Sequence, residues 1–365
     1  MECFAKQKYN IKDFDSLKTL NIKKPDEVFY QMGKKRFDET AKPIDGLGEF
    51  EDAVSRICSI QRKDDITINK KALLIMCSDN GIVEEGVSQS TSEVTFKVAK
   101  NMLREKSSAA LMAKNNNIDC FVVDIGIDSD EEPDGIINRK VRKGSRNFLK
   151  ESAMTKEETL DAICVGIDMV MKLFEEGYNI IAVGEMGIGN TTTSSAICAS
   201  LLGCDAEAVT GRGAGLDDEK LKKKINVIKE AVNKYDLTHC DVFEVLSTVG
   251  GYDIASLAGI CIGGALLGIP IVLDGIITQT AAYVALRING NVKDYLFASH
   301  IGKEPASRLL LSAIGLKGVI DANMALGEGC GAIMYLSLLE DALCVYKNAS
   351  KFDELEMEEY ERFDK

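Results

Sequence analysis

Five short apolar runs, rich in β-branched residues, punctuate the middle of the chain: Ala72–Cys77, Cys120–Ile125, Tyr178–Val183, Pro270–Leu273 and Tyr295–Ala298. Gly, Asp or Ser follows most of them closely. Between them lie longer segments whose apolar positions recur every three to four residues, Val94–Ala113 and Lys156–Glu176 among them. An apolar run without alternation reads as a strand buried on both faces. Alternation of such strands with amphipathic helices predicts an α/β fold, a parallel sheet covered by helices. Sheets of this kind bind ligands at the carboxyl ends of their strands.

The two ends of the chain have a different pattern. Residues 1–60 carry helical spacing and no strand, 331–347 read as one apolar helix, and 351–365 form a charged tail. The termini are therefore expected to build a smaller helical domain (1–60 with 331–365) packed on a sheet domain (61–330), with Gln61–Lys71 as linker. The uncharged stretch 254–273 is long enough to span a bilayer. Gly268 and Pro270 divide it, so it reads as a buried helix to about Leu267, a turn, and the buried strand Ile271–Leu273.

Composition narrows the chemistry. With 365 residues, 45% of them hydrophobic, the chain supports one large core or a large domain plus a small one. A net charge of −13 disfavours a nucleic-acid surface and suits a soluble cytoplasmic protein with small-molecule ligands. Two histidines, His239 and His300, exclude a histidine-rich metal site. The 11 cysteines contain no CxxC pair and fall mostly in apolar runs, as small buried hydrophobes of a reducing compartment do. The N-terminus lacks a signal-peptide core.

Glycine clusters follow most of the predicted strands, and the one in GEMGIGNTTTSSA (184–196) is the most suggestive. Gly187 and Gly189 allow the chain to bend so that its N–H groups converge, Asn190 or Thr191 suits a helix cap, and Thr192 and Thr193 add hydroxyls. Such a helix N-terminus attracts an anion, yet the phosphate-loop lysine is absent and Glu185 stands at the mouth. The same residues also suit an ordinary capped helix ended by Gly203. In GRGAGLDDEKLKKKINVI (211–228), Asp217 or Asp218 suits an N-cap. Of Lys222, Lys223 and Lys224, one at most faces a ligand while the others stay solvated. In MALGEGCGA (324–332), Glu328 is either an exposed turn residue or a carboxylate whose pKa is raised by apolar surroundings, suited to a general base.

GEMGIGNTTTSSA, GRGAGLDDEKLKKK, GGYDIASLAG (250–259), SHIGKEP (299–305) and MALGEGCGA, with SDNGIVEEGVSQSTSEVT (78–95) and AKPIDGLGEFED (41–52), resemble the nicotinate-nucleotide–dimethylbenzimidazole phosphoribosyltransferase family, in order, across roughly 40–335. The resemblance implies a Rossmann-like sheet domain, a helical domain from both termini, a homodimer, and no metal or cofactor. It implies transfer of phosphoribose from nicotinate mononucleotide to a benzimidazole-type base, with Glu328 as catalytic base and Glu185 stabilising or orienting the ribose. Gly187, Gly189, Asn190, Thr191, Lys224 and Gly302 would hold phosphate and ribose, and Asp79, Ser88, Thr91 and Met186 the base. The chain departs from the family at Asn80, Thr91, Lys42–Gly48 and Gly302-Lys303, and several of these changes bear on the identity of the base. Two other readings compete: a base-binding subunit or paralogue, acting on a phenolic or purine base without activity of its own, and a dinucleotide oxidoreductase. The last lacks a G-x-G-x-x-G after the first strand.

Overall fold

The computed structural model describes residues 3–363; the outermost two positions of the expected segments 1–60 and 351–365 lie outside the described residues. Six strands form one sheet: β1 (Lys71–Ser78), β2 (Ile118–Gly126), β3 (Ile137–Asn138), β4 (Ile180–Met186), β5 (Ile271–Leu273) and β6 (Leu296–Ala298). Their order is β3-β2-β1-β4-β5-β6 and every pairing is parallel. This is the α/β, Rossmann-like arrangement, with its switch point between β1 and β4, where the chain leaves in opposite directions. The central strand β1 is buried at all eight positions, which explains why it reads as an unbroken apolar run. Two further strands, β7 (His300–Gly302) and β8 (Ile320–Met324), pair in parallel as a separate two-stranded sheet. No apolar run announces β8, whose residues are all partly or fully exposed.

The helices follow the predicted pattern with one break. Val94–Ala113 is two helices, Glu93–Leu103 and Ser108–Asn115. Glu105 adopts φ 54°, and Ser107 caps the second helix by accepting the Ala110 N–H at 3.2 Å. Helix Lys156–Glu175 begins with a capping box between Thr155 and Glu158. The long apolar stretch is the buried helix Tyr252–Leu267, ended by Gly268 at φ 70° and followed by β5. Among the described residues no helix is long and apolar enough to cross a membrane.

Helix Cys330–Asn348 packs on β4 and β5 and on the helix Glu49–Gln61. The two ends of the chain meet beside it. Ala41 N–H donates to Ser350 O at 2.9 Å, and Arg362 bridges Asp38 and Asp45. The first short helices reach elsewhere. Ala5 N–H donates to Asp168 at 2.6 Å, and Phe14 stacks on Phe243 with ring centroids 3.9 Å apart. Of the 11 cysteines, all free, only Cys344 is exposed.

Candidate active site

Beyond the carboxyl ends of β4 and β5 lies a cavity of about 240 Å³. Four stretches converge on it: Glu185 to Thr191 at the end of β4 and beyond, Asp274 to Thr278 after β5, His300 to Glu304 on and after β7, and Met324 to Gly327 at the end of β8 and beyond. Gly213 and Ala214 close one side. The position is the one expected for a parallel sheet, but it lies over β4 and β5, one strand beyond the switch point.

Glu185 is one of two buried acids that line this cavity, the other being Asp274. Burial pushes its carboxyl up to about 8, with Asp253 adding repulsion and the Asn190 amide opposing the rise. Asn190 donates through Nδ2 to Glu185 Oε2 and, at 3.2 Å, to Asp253 Oδ2. Asp253 is itself buried and pushed up to about 6 by desolvation. Near neutral pH the Glu185 carboxyl therefore holds its proton for most of the time. The enclosed setting, one of the two readings open for Glu328, belongs to Glu185.

Glu328 sits at the cavity rim, one residue beyond Gly327, which lines it. Its Oε2 accepts the Ala109 N–H at 3.1 Å, in the first turn of helix Ser108–Asn115. Gly327, Glu328 and Gly329 are all left-handed, at φ 81°, 60° and 93°. For the two glycines this conformation is easy; for Glu328 it is strained. The turn leans on β4, because a Cβ at Gly184 would fall 2.3 Å from Glu328 O. The turn's far side is tied to β5: Asp274 accepts the N–H groups of Gly329 at 3.1 Å and Gly331 at 2.8 Å.

The phosphate side differs from the sequence reading in one respect. Gly189, at φ 94°, precedes the helix Asn190–Leu202 and no side chain caps it. Three of the N–H groups expected to cradle an anion are satisfied within the chain: Ile188 donates to Thr95 Oγ1, Asn190 to Gly187 O, and Thr192 to Gly189 O. Neither Asn190 nor Thr191 is a cap; Asn190 faces the acids and Thr191 faces Lys224. Asp217 caps the basic helix by accepting from Lys220 N–H at 2.8 Å. Lys222 and Lys223 are exposed, whereas Lys224 is fully buried. Its Nζ donates to Thr191 Oγ1 at 2.9 Å and Gly211 O at 3.2 Å. Burial pulls the ammonium down to about 8, opposed by Glu304. Among the described residues no carboxylate forms an ion pair with it, so the site holds a buried cation beside neutral acceptors. Gly302 lines the same cavity, its N–H engaged by Ser307 Oγ at 2.9 Å.

The four residues expected around the base are divided. Met186 lines the cavity, while Asp79, Ser88 and Thr91 line a separate groove of about 770 Å³ with Arg142, Arg146 and Lys150 opposite. Asn80 and Val83 stand between the two hollows: a Cβ at Gly189 would fall 2.7 Å from Val83 Cγ2 and 3.2 Å from Asn80 Cβ. Asp79 is buried, accepts the Asp128 N–H at 2.8 Å, and is pushed up to about 6 by desolvation. Sequence reasoning gave no role to Asp253, Asp274 or Glu304. Asp274 had a signal, an Asp-Gly pair directly after a buried strand. Asp253 sits in the first turn of an apolar helix, and Glu304 accepts the Gly213 N–H at 2.9 Å, a pairing across 91 residues that spacing cannot reveal. Among the described residues no group of three or more His, Cys, Asp or Glu is placed to hold a metal ion.

A phosphoribosyltransferase family model matches residues 22–356. The nicotinate-nucleotide–dimethylbenzimidazole phosphoribosyltransferase of Acetivibrio thermocellus is 43% identical over 330 residues, covering 90% of this chain and 94% of that protein. The protein of the same name from Clostridium perfringens (strain ATCC 13124) is 41% identical, covering 88% of this chain and 89% of its own length. Among solved structures, the enzyme so named from Thermus thermophilus superimposes with a TM-score of 0.85 at 32% identity, covering 91% of this chain and 99% of that one.

Proposed function

This chain belongs to the nicotinate-nucleotide–dimethylbenzimidazole phosphoribosyltransferase family, and from that premise we propose how its cavity divides the work. The enzyme moves phosphoribose from nicotinate mononucleotide to 5,6-dimethylbenzimidazole or a related lower-ligand base, giving α-ribazole 5′-phosphate and nicotinate, a step of cobalamin biosynthesis. One azole nitrogen attacks C1′ as the C1′–N bond to nicotinate breaks, and the bonding pair leaves with the pyridine nitrogen. The azole N–H proton passes to a carboxylate. Attack opposite the leaving group inverts β to α.

The observation that carries the assignment of the phosphate is Lys224, a buried ammonium with two neutral acceptors and no ion-pair partner among the described residues. A 5′-phosphate supplies the missing charge, with Thr191 and the loop at Gly213 beside it. Gly187 and Gly302 shape that end of the cavity, Gly189 sets the bend before the helix Asn190–Leu202, and Asn190 orients Glu185. Glu328, at the rim, takes the azole proton. Glu185, protonated near neutral pH, serves as a hydrogen-bond donor to the ribose. Met186 borders the reacting base, and the groove at Asp79, Ser88 and Thr91 acts on which base is accepted through the wall of Asn80 and Val83 that divides it from the cavity.

The division into a smaller helical domain (1–60 with 331–365) and 61–330 is supported by the Ala41–Ser350 and Arg362 ties, while the helices Phe4–Lys8 and Phe14–Lys18 lie against the larger unit. We place the enzyme in the cytoplasm as a homodimer. Met334 and Leu338, 41% and 42% exposed one turn apart on the helix that begins at the site, support a second copy seated there. The test is release of nicotinate when nicotinate mononucleotide and a benzimidazole are mixed with the purified chain. Absence of release with every azole and phenol tried overturns the reading.

A further inference from the structure

Asp274 lines the cavity without a part in the transfer assigned above, yet among the described residues it is the carboxylate that grips the turn carrying Glu328. It is 2% exposed at the end of β5. Its two oxygens take two N–H groups of the turn, Oδ2 from Gly329 at 3.1 Å and Oδ1 from Gly331 at 2.8 Å. These are N–H groups at the start of helix Cys330–Asn348, which has no side-chain cap of its own. A carboxylate there is favoured by the helix dipole as well as by the two hydrogen bonds.

The grip has little slack. A Cβ at Gly331 would fall 2.1 Å from His300 Nδ1, and one at Gly329 would fall 2.5 Å from Leu73 Cδ1. His300 is held in turn by the Ser299 hydroxyl at 2.9 Å. Between these walls the chain runs through three consecutive left-handed residues, the middle one being Glu328. A non-glycine residue persists in that conformation only where its surroundings enforce it. The surroundings that do so are Gly184 on one side and Asp274 on the other.

We propose that Asp274 is a positioning residue for the transfer reaction: by clamping Gly329 and Gly331 it holds Glu328 in its strained conformation beside the cavity, with its carboxylate on the Ala109 N–H. This rests on the assignment of Glu328 above. Asn at this position retains one acceptor and sets an amide N–H against the other main-chain N–H, so one tie is lost. A displacement of about 1 Å in a reacting group lowers turnover roughly 100-fold.

The experiment is a cycle of Asp274→Asn and Glu328→Ala, each alone and combined, with Asp274→Ala as a second disruption of the same tie. Nicotinate release gives kcat and KM, and calorimetry gives the Kd for nicotinate mononucleotide. We expect Asp274→Asn to lower kcat about 100-fold with that Kd changed less than about threefold, and to have no further effect on the residual turnover of Glu328→Ala. A merely structural residue lowers turnover by the same factor in both backgrounds. That outcome, or unchanged kcat in Asp274→Asn and Asp274→Ala beside an active wild type, overturns the proposal. An inactive wild type overturns the assigned reaction instead.

Discussion

The ammonium of Lys224 stands 2.9 Å from the hydroxyl of Thr191, joining the helix that follows the GRGAG loop to the helix that follows β4. Burial holds it down to about 8. A bound phosphate dianion favours the charged form. Affinity for nicotinate mononucleotide is therefore expected to be level below pH 8 and to weaken towards tenfold per pH unit above about that value. Calorimetric titration between about pH 7 and pH 9.5 measures this. Lys224→Met should weaken binding about 10- to 100-fold at about pH 7 and abolish the slope. A slope that survives in the variant belongs to another group.

Glu185 gives the opposite kind of signature, in stability. Its carboxyl is raised from 4.5 to about 8, chiefly by burial. Between those values the folded protein keeps a proton that the unfolded chain has released, so its contribution to stability is lost as pH rises through the window. Glu185→Gln should match the wild-type Tm near about pH 4.5 and exceed it by several degrees (about 3 °C or more) near about pH 8.5. Parallel Tm curves for the two proteins across that range count against the buried, protonated acid.

Two substitutions at Glu328 separate its chemistry from its backbone strain. Glu328→Ala and Glu328→Gly should both lower kcat by about 10²- to 10⁴-fold with the chain folded. The glycine variant should be more stable than the alanine variant by about 1 kcal/mol, since only glycine adopts φ 60° without strain. Thermal melts of the pair decide the point; equal stability means the turn relaxes once the carboxylate is gone.

Gly184→Ala tests the seam between β4 and the turn. The new methyl would sit 2.3 Å from Glu328 O, so one of two main-chain segments must shift. A loss of about 1–3 kcal/mol is expected, with kcat falling more than KM rises. Unchanged kcat in a stable Gly184→Ala protein would show that the seam does not set the position of Glu328.

Met334→Glu places a charge on the exposed apolar stripe of helix Cys330–Asn348. Light scattering should report a dimer for the wild type and a monomer for the variant at micromolar concentration. A wild type that is monomeric, or a variant that stays dimeric, removes this face from the interface.

Five of the six strands of the main sheet were legible because burial leaves a run that no alternation interrupts, and β1 is the clearest case; β3, two residues long and not buried, left no such run. β8 was not legible, because a short strand paired only with β7 has no such burial to record. Lys224 could be narrowed to one of three lysines, since a helix cannot turn three consecutive residues one way. Spacing could not say which acid is enclosed: Glu185 and Glu328 both sit among glycines, and only packing shows that one is sealed behind Asn190 and the other rests on Ala109. The break at Glu105 to Ser107 was hidden because apolar spacing continues on either side of it.

The contact of Gly184 with Glu328 also has a consequence for biosynthesis. Glu328 follows Gly184 by 144 positions. The strands β1, β2 and β4 are therefore all synthesised, and can pair, before the acid at the rim exists to be placed against them.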